Sequence, residues 1–399
     1  MKKIVFIIVG IVIFLVVTGF ITKAIIEKVT RDITEREVRR IVGDRVTEEE
    51  IQRMTEQKTQ EITSGILRTS SNTLTQIECA GASPQYSSNY YKGYLIDAHL
   101  HMPFTFDVPK ALYAQADYDG AVLEKDVAAG SLICLLDKTK VKSAFGFYVI
   151  PNLLKGQALV QIKQIGETFP KRIIPFIMPA HVTTLNLKPS DVESLLTSHP
   201  GFFKGLGEIA LYKDAYKGIM PDDESLRGFY DIAQKYNLVV MMHPDDGQRE
   251  AVETILRDYP TVKFLFHGSE MRLYVSEIVV AYPNAFFTID GELSDIQGEH
   301  QSVNLYGDKT KEDFIAHFNR DRAHVLADAI GTWKSAIEKN PDQYLWGTDR
   351  AYTMHFDEEV GLLLDGIARE FIGQLDPSVQ EKFAYKNAEK IAGGTQWKK

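Results

Sequence analysis

From residue 94 onward, short apolar runs alternate with longer segments whose apolar positions recur at helical spacing. The runs lie near residues 94–101, 142–149, 172–179, 203–208, 238–243, 262–267, 285–290 and 343–349, giving eight candidate strands. Between the fourth and fifth, Leu226, Phe229, Tyr230 and Ala233 share one helical face; between the fifth and sixth, Val252, Ile255, Leu256 and Tyr259 do the same. Strand and helix in strict repetition is the pattern of a parallel sheet covered by helices. Eight units in about 300 residues predict a (β/α)8 TIM barrel, with an open doubly wound sheet as the alternative. Two features sit awkwardly with it. Pro175 falls inside the third strand, where it brings no N–H to the ladder, and the seventh connection is long and helical, roughly residues 312–338.

Before residue 93 the pattern changes. The segment KKIVFIIVGIVIFLVVTGFITK holds an uncharged run over residues 4–22, long enough to cross a bilayer as a helix. Thr22-Lys23-Ala24 is a poor cleavage site, so a retained transmembrane anchor over residues 1–26 is expected, with a long signal peptide as the alternative. Lys2 and Lys3 favour a cytoplasmic N-terminus, whereas Lys23, Lys28, Arg31, Arg36, Arg39 and Arg40 argue the reverse. A short basic tail before an apolar run resembles an export signal, which favours a single-pass membrane protein with an extracytoplasmic catalytic domain. Residues 27–61 are dense in Glu, Arg and Thr, with capping-box spacing at Thr47 and Glu50 and no steady heptad, as in a solvated helical stalk. Residues 63–92 turn rich in Ser, Thr, Asn and Tyr and read as a linker. The organisation expected is an anchor over 1–26, stalk and linker over 27–92, and the barrel over 93–399.

Composition adds limits. With 399 residues, 44% hydrophobic and 25% charged, the chain has material for one large core. A net charge of −9 leaves no basic footprint, so no nucleic-acid partner is expected. Cys79 and Cys134 are far apart and form no C-x-x-C pair, so neither a disulfide framework nor a cysteine zinc site is expected. Oligomerisation is left open.

The polar residues fall where such a barrel does its chemistry, at the C-terminal strand ends. The first strand ends in His99 and His101, two apart and therefore pointing the same way. The fourth ends in Glu208, the fifth in His243, the sixth in His267 and the eighth in Asp349. Singly, each has an ordinary reading as a hydrogen-bonded core histidine or a helix cap. Their recurrence at the same end of five strands points to a divalent metal centre of one or two ions, and imidazole with carboxylate suits Zn first, then Mn or Fe. His181, Asp245, Asp246, Asp290, Glu292 and Arg350 belong to the same rim. Arg350 suits a substrate carboxylate or phosphate, or an ordinary ion pair. Tyr352, His355 and Phe356 shape the pocket or pack its loop.

The stretches IDAHLHM, GLGEI, MMHPDD, LFHGSE and LWGTDR, with the closing FAYKNAEKIAG, resemble the amidohydrolase superfamily of metal-dependent hydrolases over about residues 94–394. AYPNAFFTID after LFHGSE is most similar to the amidohydrolase-related branch that includes decarboxylases and lactonases. GLGEIALYKD is similar to the TatD-like branch, whose Glu bridges two metals. The resemblance implies that His99, His101 and Asp349 hold one ion with His243 as a further ligand. His267 would bind a second ion or polarise the substrate, and Glu208 would bridge two ions or bind one. Lys204, four residues earlier, is not given the role of a carboxylated lysine. The implied activity is hydrolysis of an amide, ester, lactone or related bond in a small molecule, by a bound water whose pKa falls to about 7. Asp349 would be the general base, His267 its catalytic companion, and His181 and Arg350 the substrate contacts. The alternatives are a TatD-like phosphodiesterase or nuclease, which the acidic balance disfavours, a non-hydrolytic decarboxylase, and an inactive membrane-tethered binding module.

Overall fold

The computed structural model describes residues 89–102, 129–150, 155–179, 187–211, 218–290, 310–350 and 353–393, with isolated positions at 35, 50, 52, 56, 84 and 86. Positions 35, 50, 52 and 56 are helical; the apolar run over residues 4–22 lies outside the described residues. Among the described residues, no helix is long and apolar enough to cross a membrane.

All eight expected strands form: β1 (Leu95–His101), β2 (Val141–Val149), β3 (Ile173–Met178), β4 (Gly205–Ala210), β5 (Val239–His243), β6 (Lys263–Phe266), β7 (Ala285–Ile289) and β8 (Tyr344–Trp346). They pair in chain order, every pair parallel. The sheet closes on itself, because Leu100 bridges Arg350, Asp349 N donates to His99 O at 2.8 Å and His101 N donates to Arg350 O at 3.2 Å. Closure settles the choice between an open sheet and a (β/α)8 barrel.

Pro175 fits because of where its missing donor would point. Its carbonyl accepts from Lys204 N at 3.0 Å, so its nitrogen faces the turn into β4, and pairing with β4 starts one residue later, at Phe176 and Gly205. The ladder on that edge has not yet begun.

Helices wrap the barrel: α1 (Ala129–Lys138), α2 (Lys155–Thr168), α3 (Pro189–Ser198), α4 (Glu224–Tyr236), α5 (Arg249–Asp258), α6 (Val275–Ala281), α7 (Lys311–Lys339), α8 (Glu358–Gln374), α9 (Pro377–Glu381) and α10 (Asn387–Ile391). Their apolar stripes face inward as the periodicity predicts: Leu226, Phe229, Tyr230 and Ala233 of α4 are buried, as are Val252, Ile255 and Leu256 of α5. Start signals are local. The Asp223 carboxylate accepts from Ser225 N at 2.9 Å at the start of α4, and Asp357 caps α8 through Glu359 N at 3.0 Å. The barrel interior is filled by aromatic layers, with Phe147 against Phe176 at 4.8 Å and Phe145 stacked on Phe176 at 4.9 Å.

Two tethers fix the ends. Asn387 Nδ2 donates to Pro341 O and Tyr344 O, each at 2.8 Å, and so pins the closing helix under β8. Arg369 of α8 donates to Tyr91 O and Gly93 O, both at 2.9 Å, and to Thr139 O, so it fixes the chain where it enters β1.

One expectation is corrected here. Cys134 of α1 is disulfide-bonded, and no described cysteine is free. Sequence separation hid this, because distance along a chain does not limit distance in space. The other cysteine of the sequence is Cys79, which lies outside the described residues.

Candidate metal centre

Every residue proposed as a metal ligand arrives at one end of the barrel. His99 and His101 close β1, and their Nε2 atoms lie 3.2 Å apart, the shared direction that period 2 dictates. Register shifts fall between Asp97 and Leu100 of β1 and between Leu206 and Ile209 of β4, at the two strands that supply His99 and Glu208. Such irregularities turn a side chain out of the regular alternation, here into the barrel mouth. Gly207, at φ +119°, makes this possible: a Cβ there would meet Met241 O at 2.3 Å.

Two groups of donor atoms meet at Glu208. Oε2 lies 3.3 Å from His101 Nε2 and 4.0 Å from His99 Nε2. Asp349 Oδ1 completes that side, 3.1 Å from His101 Nε2 and 3.3 Å from His99 Nε2. Oε1 faces the other way, 2.9 Å from His267 Nε2 and 3.3 Å from His243 Nδ1. Neighbouring ligands of one ion are roughly 3.0–3.5 Å apart when each sits about 2.1 Å from it, so both groups have cation-binding spacing. His243 therefore sits with His267 on the second side of Glu208, rather than beside the His99 pair as the resemblance implied. Asp349 has φ +48°, a left-handed backbone that aspartate tolerates better than most residues, and its N–H is held by His99 O.

The surroundings orient the imidazoles. His99 Nδ1 lies 2.8 Å from Asp290 Oδ2, and His267 Nδ1 lies 3.6 Å from the same oxygen. His243 Nε2 lies 3.0 Å from Glu270 Oε2. A carboxylate on one ring nitrogen fixes the tautomer and leaves the other free to coordinate. Behind them, Asp97 accepts from His99 N at 3.0 Å, Thr348 N at 2.9 Å and Thr348 Oγ1 at 2.6 Å, which ties β1 to the segment after β8 that carries Asp349.

Electrostatically the cluster asks for positive charge. Burial alone would raise the Glu208 carboxyl, but the charge of His267 and hydrogen bonds from His101, His243 and His267 hold it well below the usual carboxylate range. Asp349 is lowered in the same way, burial being outweighed by His99 and His101. Burial opposes the charge on His101, yet its bonds to Asp349 and Glu208 push it up to about 9. These carboxylates draw in protons through the imidazoles, and a divalent cation would satisfy the same demand.

The other expected residues divide. Asp290, placed at the rim without a role, proves to be the partner of His99. Glu270 was missed: a single acid three residues after His267 carries no distinguishing pattern. Asp97 was missed for the opposite reason, since a carboxylate inside an apolar strand reads as part of the motif around it. Arg350, expected to contact substrate, is instead 0% exposed and donates to Asp365 Oδ1 at 2.7 Å and Gly361 O at 3.2 Å on α8. The packing of α8 explains it, for Asp365 and Gly361 offer the guanidinium buried acceptors away from the mouth. His355 and Phe356 are likewise buried. Asp245 is engaged in its own turn, accepting from Asp246 N at 2.8 Å. His181, Glu292 and Tyr352 lie outside the described residues.

A family model described as Amidohydrolase matches residues 96–393. No curated protein matches the sequence. Among solved structures, a zinc-bound amidohydrolase from Burkholderia multivorans is 12% identical with a TM-score of 0.47, covering 75% of this chain and 99% of its own. A protein described as an amidohydrolase from Staphylococcus aureus is 14% identical with a TM-score of 0.44, covering 75% and 99%. A 4-oxalomesaconate hydratase from Rhodopseudomonas palustris is 12% identical with a TM-score of 0.42, covering 75% and 95%.

Proposed function

The chain belongs to the amidohydrolase family, and on that footing we propose that it is a metal-dependent hydrolase of small molecules, cleaving an amide, ester, lactone or related bond. The observation that carries this reading is the division of Glu208, whose two oxygens face different imidazole groups at 2.9 and 3.3 Å. Imidazole and carboxylate donors without thiolate fit zinc first, with manganese or iron as alternatives. His99, His101, Asp349 and Glu208 Oε2 would hold one ion; Glu208 Oε1, His243 and His267 would hold a second. When bound, such an ion supplies Lewis acidity and lowers the pKa of a coordinated water to about 7.

The protein's own groups do the rest. Asp349, its side chain 15% exposed, is the ligand-group carboxylate open to the barrel mouth and can accept a proton there and return it to a leaving group. His267, at 2% exposure, is closed off by Glu208 and Asp290, so its part is to hold rather than to meet the substrate. Asp290 and Glu270 keep His99 and His243 aimed, so no ring rotation accompanies binding.

We further propose that the chain is a single-pass membrane protein, anchored through the apolar run at residues 4–22 with the barrel on the extracytoplasmic side. The disulfide at Cys134 supports that side, since such bonds persist mainly in oxidising compartments.

Elemental analysis of the full chain, purified in detergent without chelator, tests the centre. Two transition-metal ions per chain are expected, and a chain without any would overturn the reading. Turnover on a panel of esters, lactones, amides and phosphodiesters is expected to vanish in Asp349→Asn with the circular dichroism unchanged. A fully active variant, or turnover of phosphodiesters alone, would overturn the assignment.

A further inference from the structure

The opposite end of the barrel carries chemistry of its own. Where β3 and β4 begin, a cavity of about 420 Å³ opens among Lys163 and Glu167 of α2, Lys171 in the turn into β3, Pro175 of β3, and Phe202 and Lys204 in the turn into β4. Several lysines elsewhere on the barrel are matched with acids: Lys142 with Glu389 at 3.1 Å, Lys155 with Asp191 at 2.8 Å, Lys235 with Glu193 at 2.7 Å. Lys163, Lys171 and Lys204 have no ion pair and no side-chain hydrogen bond among the described residues.

Three ammonium groups around one cavity repel each other unless something anionic joins them. Glu167 is exposed and removes only one charge, so the lining keeps 3 − 1 = 2 positive charges in a chain whose net charge is −9. Lys204 cannot withdraw freely, because its backbone is held by Pro175 O at 3.0 Å and Val239 N at 3.1 Å, and its side chain is half-buried. Burial pulls its ammonium below the usual lysine range, the direction expected of a cation lacking a counter-ion. Phe202 and Pro175 add an apolar wall beside the charges.

We propose that this cavity binds a phosphate-bearing anion, held by Lys163, Lys171 and Lys204. A phosphomonoester carries about −1.5 to −2 at neutral pH, which matches the residual charge where a single carboxylate would leave half of it unanswered. Lysine meets phosphate as a compact point charge, without the planar fork a carboxylate favours. The source is a soluble phosphomonoester or the phosphomonoester headgroup of a lipid. β1 also starts on this face, so the chain enters the barrel from this side.

Lysine-directed acylation read by mass spectrometry tests it, on the full chain in phosphatidylcholine nanodiscs, with or without inorganic phosphate, and in nanodiscs containing phosphatidic acid, whose headgroup is a phosphomonoester. Phosphate is expected to slow acylation of Lys163, Lys171 and Lys204 by about threefold or more, since a paired ammonium keeps its proton, while exposed Lys188 at the catalytic end is unaffected. Protection by soluble phosphate assigns a free anion; protection by phosphatidic acid alone assigns a headgroup. Lys204→Gln should abolish phosphate protection of Lys163 and Lys171. Unchanged reactivity in every arm, or full protection of the other two lysines in Lys204→Gln, would overturn the site.

Discussion

His99 Nδ1 stands 2.8 Å from Asp290 Oδ2, and this fixes which nitrogen of His99 faces the cluster. Asp290→Asn should therefore lower metal affinity by roughly 10- to 100-fold while the barrel stays folded. Competition against a fluorescent chelator measures it. Wild-type affinity in the variant would mean that the ring is oriented by something else.

Arg350 and Asp365 form a charge pair with both side chains fully buried, 2.7 Å apart. Arg350 Nε and Nη1 and Asp365 Oδ2 find no further partner, so the pair is incompletely solvated by the protein. Arg350→Met alone should cost about 3–5 kcal/mol, because it strands a buried carboxylate, and the double change Arg350→Met with Asp365→Leu should recover most of that. Urea denaturation of these two variants and of Asp365→Leu alone decides; additive losses would contradict the coupling.

Gly268 sits at φ +107°, and a Cβ there would approach His243 Nε2 to 2.4 Å. Gly268→Ala is expected to push the ring off Glu208 and reduce metal stoichiometry from two ions to one. Gly218, at φ +82° with nothing near, is the control: Gly218→Ala bears the backbone strain of about 1 kcal/mol or somewhat more and should keep both ions. Equal metal content in both variants would separate His243 from the second ion.

Cys134 is bonded, and the sequence holds two cysteines. A denatured, unreduced chain should give no reaction with a thiol reagent and two equivalents after reduction. Cys134→Ser is expected to lower stability by about 2–4 kcal/mol. A titratable thiol before reduction would contradict the bond.

The sequence by itself determined the repeat. Eight apolar runs and the amphipathic stripes between them are local patterns, written in each segment's own residues, so the strands and the long helix α7 could be read directly. It also determined which side chains reach the barrel mouth, because strand ends are chain positions and period 2 orients His99 with His101. The partnerships were decided in three dimensions. That Glu208 separates His101 from His267, that Asp290 serves His99, that Glu270 serves His243 and that Cys134 is bonded all depend on closure, which sets residues from distant segments side by side. Arg350 shows the same limit from the other direction: its position at the rim was legible, but the face it occupies was fixed only when α8 packed behind β8 and offered Asp365.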